Sequence, residues 1–122
     1  MRAKFKVIGI RSMEEALADA GKVMEALSRG EEVKEKTSGY FFTSFEAFRR
    51  VMTPQRYALL KLIREAAPES VQDLAKLAGR DMKNVSEDLK ALLEMDLVEM
   101  EKHGKAKAPR VRYTGIRVEL AV

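Results

Sequence analysis

Hydrophobic and polar positions change their spacing several times along the chain, and each change marks a predicted element. Residues 4–10, KFKVIGI, are apolar and β-favouring and predict a short strand. A helix follows, with Ser12 and Glu15 spaced as a capping box and Gly30 at its end. Its apolar side chains recur at helical spacing and predict a core face or a dimer interface: Met13, Leu17, Ala20, Met24 and Leu27.

The polar segment EEVKEKTSG, residues 31–39, predicts a linker. We therefore divide the chain into an N-terminal strand-helix extension, residues 1–39, and a second domain, residues 40–122. The extension is a candidate dimer or partner interface. The second domain begins with a short predicted strand, YFFT, and a brief helix that Ser44 caps.

Three more helices are predicted between residues 53 and 95. Thr53 caps the first, and Pro54 suits its first turn because proline lacks only an N–H that is unpaired there anyway. Pro68 stops this helix. Its buried positions are predicted at Leu59, Leu60, Ile63 and Ala66.

The second and third of these helices fit a helix-turn-helix. Ser70 caps one, with Asp73 as a capping-box acid, and Asp81 caps the other, which runs to about Met95. Gly79 stands where the chain must turn, because glycine tolerates a left-handed backbone. The residues expected to face the core are Val71, Leu74, Ala75, Ala78, Met82, Val85, Leu89, Leu92 and Leu93. An ordinary helical hairpin has similar spacing, so this pattern alone leaves both interpretations open.

The C-terminal third predicts strands around a basic loop. After Asp96, LVEMEK alternates like a strand, HGKAKAPR predicts a turn-rich loop, and VRYTGIRVEL predicts a returning strand. The strands at 4–10 and 115–121 are expected to pair, either within one chain or between subunits. Two strands and a basic loop after a helix-turn-helix predict a winged helix. The expected fold class is α+β, mainly helical: a winged helix-turn-helix with an N-terminal strand-helix extension.

Charge is distributed unevenly around a net value of +4. Residues 12–35 hold seven acids against three bases, whereas residues 103–117 hold five bases and no acid. A local basic strip predicts a polyanionic partner more specifically than the net charge does. With no Cys and a single His, the chain offers no His/Cys metal cluster, and it contains no phosphate-binding loop or nucleophile elbow. We expect no catalysis, no metal and no cofactor.

Two segments within residues 53–100, TPQRYALLKLIRE and SVQDLAKLAGRDMKNVSEDLKALLEMDLVEM, resemble winged-helix transcriptional regulators of the MarR and ArsR kind. With SFEAFRRVMTPQR and PRVRYTGIRVEL included, the chain is more similar still to a small prokaryotic group of predicted DNA-binding regulators, several of them described as antitoxins. The resemblance implies sequence-specific binding to double-stranded DNA, usually as a homodimer on a palindromic operator. It also implies a toxin protein as a second expected partner.

Candidate DNA contacts follow from the helical spacing, because only the first two turns of a recognition helix normally reach base edges. The candidate base contacts are Lys83, Asn84, Ser86, Glu87 and Lys90. The candidate phosphate contacts are Ser70, Arg80, Lys105, Lys107, Arg110 and Arg112. Gly79 and Asp88 are expected to be structural, Asp88 by holding a basic group such as Arg80 or Arg56.

Glu87 is unexpected among these candidates, since a carboxylate opposes phosphate. Three interpretations stay open: Glu87 accepts a hydrogen bond from cytosine N4, pairs with Lys83 or Lys90 one turn away, or weakens DNA binding. The alternative function is a winged-helix protein-interaction scaffold that does not bind DNA, which the acidic N-terminal helix favours. The apolar run in MRAKFKVIGI is too short for a signal peptide or spanning helix, so we expect a cytoplasmic protein that does not enter membranes.

Overall fold

The computed structural model describes residues 4–31 and 40–122, so the predicted linker lies almost entirely outside the described residues. The described chain is α+β, and about half of it is helical. In chain order its elements are β1 (Phe5–Ile10), α1 (Met13–Ser28), β2 (Phe41–Phe42), α2 (Phe45–Val51), α3 (Pro54–Ala66), α4 (Val71–Ala78), α5 (Met82–Glu94), β3 (Glu99–His103), β4 (Ala106–Arg110) and β5 (Gly115–Leu120). None of the helices in these ranges has the length and apolar character needed to cross a membrane.

Contacts between residues divide the chain into two compact units. The helical unit comprises residues 50–114 together with Lys4, and the sheet unit comprises residues 5–49 and 115–122. This grouping joins residues 40–49 and β5 to β1, whereas the predicted division assigned them to the second domain.

The sheet unit contains a three-stranded sheet in the order β2-β1-β5. Both neighbours of β1 run parallel to it, and β5 pairs with it along all six residues, from Phe5 opposite Gly115 to Ile10 opposite Leu120. The expected pairing of the strands at 4–10 and 115–121 therefore occurs within one chain. Alternation along β1 buries Ile8 and Ile10, as is typical of a strand with one covered face.

Helix α1 begins as the sequence predicts but does not bury its apolar residues. Ser12 Oγ accepts a hydrogen bond from Glu15 N at 3.1 Å, and Glu15 Oε1 accepts one from Ser12 N at 3.1 Å, which completes the capping box. No residue of α1 is buried, and Leu17, Met24 and Leu27 are 66%, 71% and 58% exposed. Of the two predicted roles, the core face was wrong, because spacing identifies residues on one side of a helix without showing what covers that side, and the dimer interface stays a prediction.

The core of the helical unit forms where α3, α4 and α5 contact one another and β4 contacts α3 and α4. Thr53 Oγ1 accepts a hydrogen bond from Arg56 N at 3.2 Å, which caps α3 as predicted. The buried apolar residues of this unit are Leu59, Leu60, Ile63, Leu74, Ala75, Val85, Leu89, Leu92, Met95, Leu97, Val98, Ala108 and Tyr113. Ala66, predicted to be buried, is exposed because α3 ends there and Ala67 turns left-handed before Pro68.

The segment that follows the last helix departs from the predicted strand pattern. Strand β3 starts at Glu99, and its antiparallel partner β4 occupies residues 106–110, which the sequence predicted as loop. Residues 111–114 are not strand, and β5 belongs to the other sheet. Pro109 lies within β4, where proline is tolerated because each strand of a two-stranded sheet has a free edge.

Tyr113 ties the segment after β4 to the rest of the helical unit. Its hydroxyl donates to the Leu97 carbonyl at 2.7 Å, and its own carbonyl accepts from Arg64 Nη1 at 2.7 Å. Burial, with a smaller contribution from the charge of Asp96, raises the pKa of the Tyr113 hydroxyl. The phenol therefore stays protonated and keeps donating.

Candidate nucleic-acid interface

A tight turn at Gly79 joins α4 to α5. Gly79 has φ of 63°, and the N–H groups of Gly79 and Arg80 donate to the Lys76 and Ala75 carbonyls at 3.1 Å each. This is a Schellman ending, which requires a left-handed residue and favours glycine. The expected structural role of Gly79 agrees with this geometry.

At the start of α4, Asp73 accepts a different hydrogen bond from the predicted one. Ser70 Oγ accepts a hydrogen bond from Asp73 N at 3.0 Å, so the serine caps the helix as expected. Asp73 Oδ2, however, accepts from Glu69 N at 3.1 Å rather than from Ser70 N. The predicted capping box is therefore replaced by a contact one residue earlier. Ser70 is half-buried, and its hydroxyl oxygen already serves the helix.

Helix α5 separates buried from exposed residues along its length. Val85, Leu89 and Leu92 are buried, as the helical spacing predicts. Every candidate base contact is exposed: Lys83, Asn84, Ser86, Glu87 and Lys90. Met82 and Leu93, predicted as core, are 49% and 37% exposed because they lie at the margins of the buried stripe. Asp81 has the extended backbone of a cap, but its side chain makes no cap hydrogen bond.

Glu87 has no basic partner among the residues that the structure describes. Neither Lys83 nor Lys90 lies within 4.0 Å of its carboxylate, so the predicted pairing within the helix does not form. An exposed i,i+4 pair contributes only about 0.3–0.5 kcal/mol, which is too little to hold two long side chains together. Two interpretations of Glu87 remain, a contact with cytosine and a weakening of DNA binding.

Asp88, the next residue, binds two arginines at once. Its Oδ1 accepts from Arg56 Nε at 3.0 Å and its Oδ2 accepts from Arg80 Nη2 at 2.7 Å. The expected structural role of Asp88 agrees with these contacts, which join α3, the turn after α4, and α5. Burial raises the pKa of Asp88, but the hydrogen bonds and positive charges of Arg80 and Arg56 together outweigh it, so the net pKa is lowered.

Arg80 is therefore held inside the structure rather than presented to a ligand. Its side chain is 23% exposed and paired with Asp88. Its second terminal nitrogen, Nη1, is buried and makes no hydrogen bond with the described residues. The geometry assigns Arg80 to the support of α5, and its predicted phosphate contact would require this side chain to leave Asp88.

The β3–β4 hairpin closes through a two-residue turn at Gly104 and Lys105. His103 pairs with Ala106, and Gly104 has φ of 62°. Glycine at the first central position with a positive φ is typical of a type II′ turn, whose twist matches that of the strands. Lys105 therefore stands at the tip of the hairpin.

Arg110 at the end of β4 and Arg112 just after it make their contacts with acids of β3 and with backbone carbonyls. Arg110 is 18% exposed; its Nη1 donates to the Pro68 carbonyl at 2.7 Å and its Nε to Glu101 Oε2 at 3.1 Å. Arg112 binds the carboxylates of Glu99 and Glu101 at 3.0 Å each. Hydrogen bonds from Arg112 and Arg110 lower the pKa of Glu101. These contacts neutralise the two arginines that were predicted to bind phosphate.

The lysines of the hairpin differ from the arginines. Lys105 and Lys107 are exposed and have no ion partner among the described residues. The same is true of Lys102, which was not among the candidate contacts predicted from the sequence. Lys102 lies directly opposite Lys107 in the ladder. The alternation of LVEMEK placed Lys102 on a strand, but only the register with β4 brings the two lysines together.

The described residues contain no group of three or more His, Cys, Asp or Glu side chains that could hold a metal ion. His103 Nε2 lies 4.0 Å from Glu69 Oε1, the one contact of the single histidine with an acid in the described structure.

The chain belongs to a protein family described as HVO_A0114, whose model matches residues 51–118. The matched segment begins at the end of α2 and includes α3, α4, α5 and the hairpin. None of the curated proteins compared with the chain matches it.

Proposed function

We propose that this protein is a sequence-specific regulator of transcription, acting as a repressor, that binds double-stranded DNA through a winged helix-turn-helix. In this proposal α4 and α5 form the helix-turn-helix, and the β3–β4 hairpin is the wing. The observation that carries the proposal is the division between arginines and lysines. Arg80, Arg110 and Arg112 are bound to acids or carbonyls. The lysines of α5 and the hairpin are exposed without ion partners in the described residues: Lys83, Lys90, Lys102, Lys105 and Lys107.

The facing pair Lys102 and Lys107 supports a polyanionic ligand. Like charges directly opposite each other in a ladder destabilise it, and no described acid lies close enough to relieve this pair. A DNA phosphate would neutralise both ammonium groups, and release of counterions would favour binding. A wing with Lys105 at its tip is suited to this contact, because lysine acts as a flexible point charge.

Helix α5 supplies the base contacts in this proposal. Lys83 and Asn84 stand in its first turn, the part of a recognition helix that reaches base edges. Asn84 would pair with adenine and Lys83 with guanine in the major groove. The clasp of Asp88 on Arg56 and Arg80 holds this helix from its partly buried side, so the exposed side is presented in a fixed orientation.

Glu87 fits a base-contact role better than a phosphate-contact role. Its carboxylate is exposed and without a basic partner in the described residues. A carboxylate near phosphate is repelled, whereas one facing cytosine N4 accepts a hydrogen bond. We therefore propose that Glu87 contributes specificity and lowers the affinity for DNA that lacks a suitably placed cytosine.

The dependence of DNA binding on salt tests this proposal. The duplex is the DNA upstream of the protein's own coding sequence, with a random duplex of equal length as the comparison. Each phosphate neutralised contributes about −0.9 to the slope of log K against log salt, so contacts by Lys102, Lys105 and Lys107 give about −3 for each protomer. We expect tighter binding to the upstream duplex and a steep slope for both. A flat slope, or equal affinity for the two duplexes, contradicts the proposal.

Matched lysine variants separate the interface from general charge effects. Lys105→Ala and Lys107→Ala should each make the slope shallower by about 0.9, because each removes one phosphate contact. Lys22→Ala is the control, since Lys22 is an exposed lysine of α1 in the sheet unit and has no ion partner in the described residues. It should leave the slope unchanged.

The exposed apolar residues of α1 favour a second function, the binding of a partner protein. Leu17, Met24 and Leu27 share one side of the helix and are more than half exposed. Contiguous exposed apolar side chains of this size are typical of protein interfaces. If the chain is instead a winged-helix scaffold, or neutralises a toxin protein, this surface is the proposed contact.

Co-expression with the product of the adjoining gene distinguishes the two functions. A partner that binds α1 should be lost on Leu17→Glu or Met24→Glu and retained in Lys105→Ala. DNA binding should be retained in Leu17→Glu and Met24→Glu and weakened in Lys105→Ala. Loss of partner binding in Lys105→Ala with retention in Leu17→Glu would contradict the assignment of α1.

A further inference from the structure

The outer edge of β5 is free of any strand in the described sheet. β5 is the last strand in the order β2-β1-β5, and its last four residues are all exposed. Edge strands of natural proteins are usually protected by charged side chains, especially lysine, or by proline, a bulge or very short length. β5 has no lysine, proline or bulge and pairs regularly with β1 over six residues, and its two charged residues, Arg117 and Glu119, are opposite in sign.

The hydrogen bonds of β1 define which groups of β5 point outward. Gly9 N donates to the Tyr40 carbonyl, just before β2, and Arg11 N donates to the Phe42 carbonyl in β2. The even-numbered residues of β1 therefore direct their polar groups toward β5. Ala121 N donates to the Ile10 carbonyl, which places the odd-numbered residues of β5 toward β1. Because the pattern alternates, the N–H and C=O groups of Ile116, Val118 and Leu120 point to the free edge. Their side chains lie on the same face as Ile8 and Ile10.

We infer that β5 pairs antiparallel with β5 of a second copy of this chain, centred on Val118. In this register Val118 faces Val118 of the second copy, and Ile116 faces Leu120 across the two-fold axis. All of these residues have outward-pointing backbone groups, so each facing pair can exchange both of its hydrogen bonds. The two sheets then form one continuous six-stranded sheet, and Ile8 and Val118 of both copies form one row of apolar side chains across its centre.

Charge selects this register over its neighbours. Centred on Val118, Arg117 of each copy lies opposite Glu119 of the other, which gives two facing pairs of opposite charge. Centring the pairing on residue 117 places arginine opposite arginine, and centring it on residue 119 places glutamate opposite glutamate. A pairing centred between two residues places each even-numbered residue, whose backbone groups point outward, opposite an odd-numbered residue, whose backbone groups point toward β1. Facing like charges destabilise a ladder, so among the registers centred at or between residues 117 and 119, only the one centred on Val118 satisfies backbone, apolar side chains and charges together.

This inference does not depend on DNA binding, because the dimer is measured on the protein alone. The strand itself is self-complementary, as a two-fold symmetric interface requires. The exposed side chains of Val118 and Leu120, at 42% and 55%, supply apolar area that pairing removes from water.

Charge reversal tests the register. Arg117→Glu leaves two glutamates facing two glutamates, and Glu119→Arg leaves two arginines facing two arginines. Sedimentation analysis of the full chain over a concentration series should show a dimer for the unaltered protein. The dissociation constant should rise by about tenfold or more in each variant, from the loss of two favourable pairs and the gain of two repulsive ones. A monomeric unaltered protein, or variants that dimerise as well as it does, would overturn the inference.

Mixing the two variants gives the sharper result. The two glutamates of the Arg117→Glu chain then face the two arginines of the Glu119→Arg chain, so an equimolar mixture should form a heterodimer that neither variant forms alone. A folding defect could not produce this recovery. Arg117 also stacks over the Phe5 ring at 4.5 Å, so Arg117→Glu changes its own chain, whereas Glu119→Arg leaves that contact in place. A mixture that stays monomeric contradicts the register.

Proline supplies an independent test of the edge. Val118→Pro removes an N–H that points outward and leaves the β1–β5 hydrogen bonds of the odd-numbered residues available. The variant should be a monomer with the unfolding transition of a folded chain. A dimer that persists in Val118→Pro would exclude the β5 edge as the interface.

Discussion

Asp88 on α5 accepts hydrogen bonds from two arginines that lie far apart in the sequence, from Arg56 Nε at 3.0 Å and from Arg80 Nη2 at 2.7 Å. One arginine is on α3 and the other is in the turn that follows Gly79. The carboxylate thus joins all three helices at the partly buried side of α5. Its side chain is 15% exposed, so water competes weakly for these bonds.

Removal of Asp88 should destabilise the fold. Asp88→Ala leaves two guanidinium groups in a half-buried position without their partner, and we expect a loss of about 2–3 kcal/mol in the free energy of unfolding. Urea denaturation measures this loss. Ser86→Ala on the exposed side of α5 is the control and should change stability by less than about 0.5 kcal/mol. An Asp88→Ala variant as stable as the control would show that the clasp contributes little.

The same carboxylate should contribute to stability against acid. The pKa of Asp88 is lower in the folded protein than in the unfolded chain, where the pKa of an aspartate is about 3.9. Its contribution is therefore complete above that value and is lost as the pH falls through the folded pKa. In Asp88→Asn this part of the acid dependence should disappear, so the stabilities of the two proteins should converge below about pH 4. Parallel curves across that range would contradict the assignment.

The clasp could be predicted from the sequence, whereas the contacts of the hairpin could not. Helical spacing placed Asp88 beside the core face of α5, which requires only the period of one helix. The pairing of Arg110 and Arg112 with acids of β3 depends on the register of two strands. The stretch 103–117 contains no acid, but Glu99 and Glu101 of β3 pair with two of its arginines, Arg110 and Arg112.

Arg110→Ala should therefore affect stability rather than the salt dependence of DNA binding. From the sequence alone, this variant would be expected to make the salt slope shallower by about one unit. In the structure Arg110 is mostly buried and bound to Pro68 and Glu101, so its loss should cost about 1–2 kcal/mol of unfolding free energy. Lys105→Ala, at the exposed tip of the same hairpin, should make the salt slope shallower and leave the unfolding free energy nearly unchanged. A normal stability with a shallower slope in Arg110→Ala would show that Arg110 binds phosphate after all.

Helix α1 marks another limit of sequence-based prediction. Periodicity correctly placed the helix and its capping box, but its apolar side is exposed. Met82 and Leu93 on α5 failed for a related reason, since each lies at the edge of a stripe whose width depends on the neighbouring elements. The period of a helix identifies a shared side, and tertiary contacts alone decide how much of that side is covered.

Glu87→Gln should separate specificity from stability. Glu87 is exposed and has no ion partner in the described residues. Replacing its carboxylate with the glutamine amide should therefore change the unfolding free energy by less than about 0.5 kcal/mol. Affinity for random duplex should rise, because a negative charge is removed from the surface that meets the polyanion. Preference for one C·G pair should fall, because an amide can also donate. Unchanged affinity for every duplex would place Glu87 outside the interface.

Tyr113→Phe should destabilise the helical unit modestly. The variant removes the 2.7 Å hydrogen bond to the Leu97 carbonyl and leaves that acceptor without its partner, at a cost of about 1–2 kcal/mol. Because the ring itself is retained, packing should be preserved. Thermal unfolding at neutral pH measures the difference. An equal stability would mean that water satisfies the Leu97 carbonyl as well as the phenol does.

Selection of bound duplexes from a randomised pool tests the central claim most directly, because it requires no assumption about the operator sequence. The unaltered protein should enrich one sequence motif. Asn84→Ala should enrich the same motif with one position relaxed, since loss of a bidentate contact with adenine costs about 1–3 kcal/mol at that base pair alone. Lys105→Ala should retain the motif with weaker binding. A pool that shows no enrichment with the folded, unaltered protein would contradict sequence-specific DNA binding.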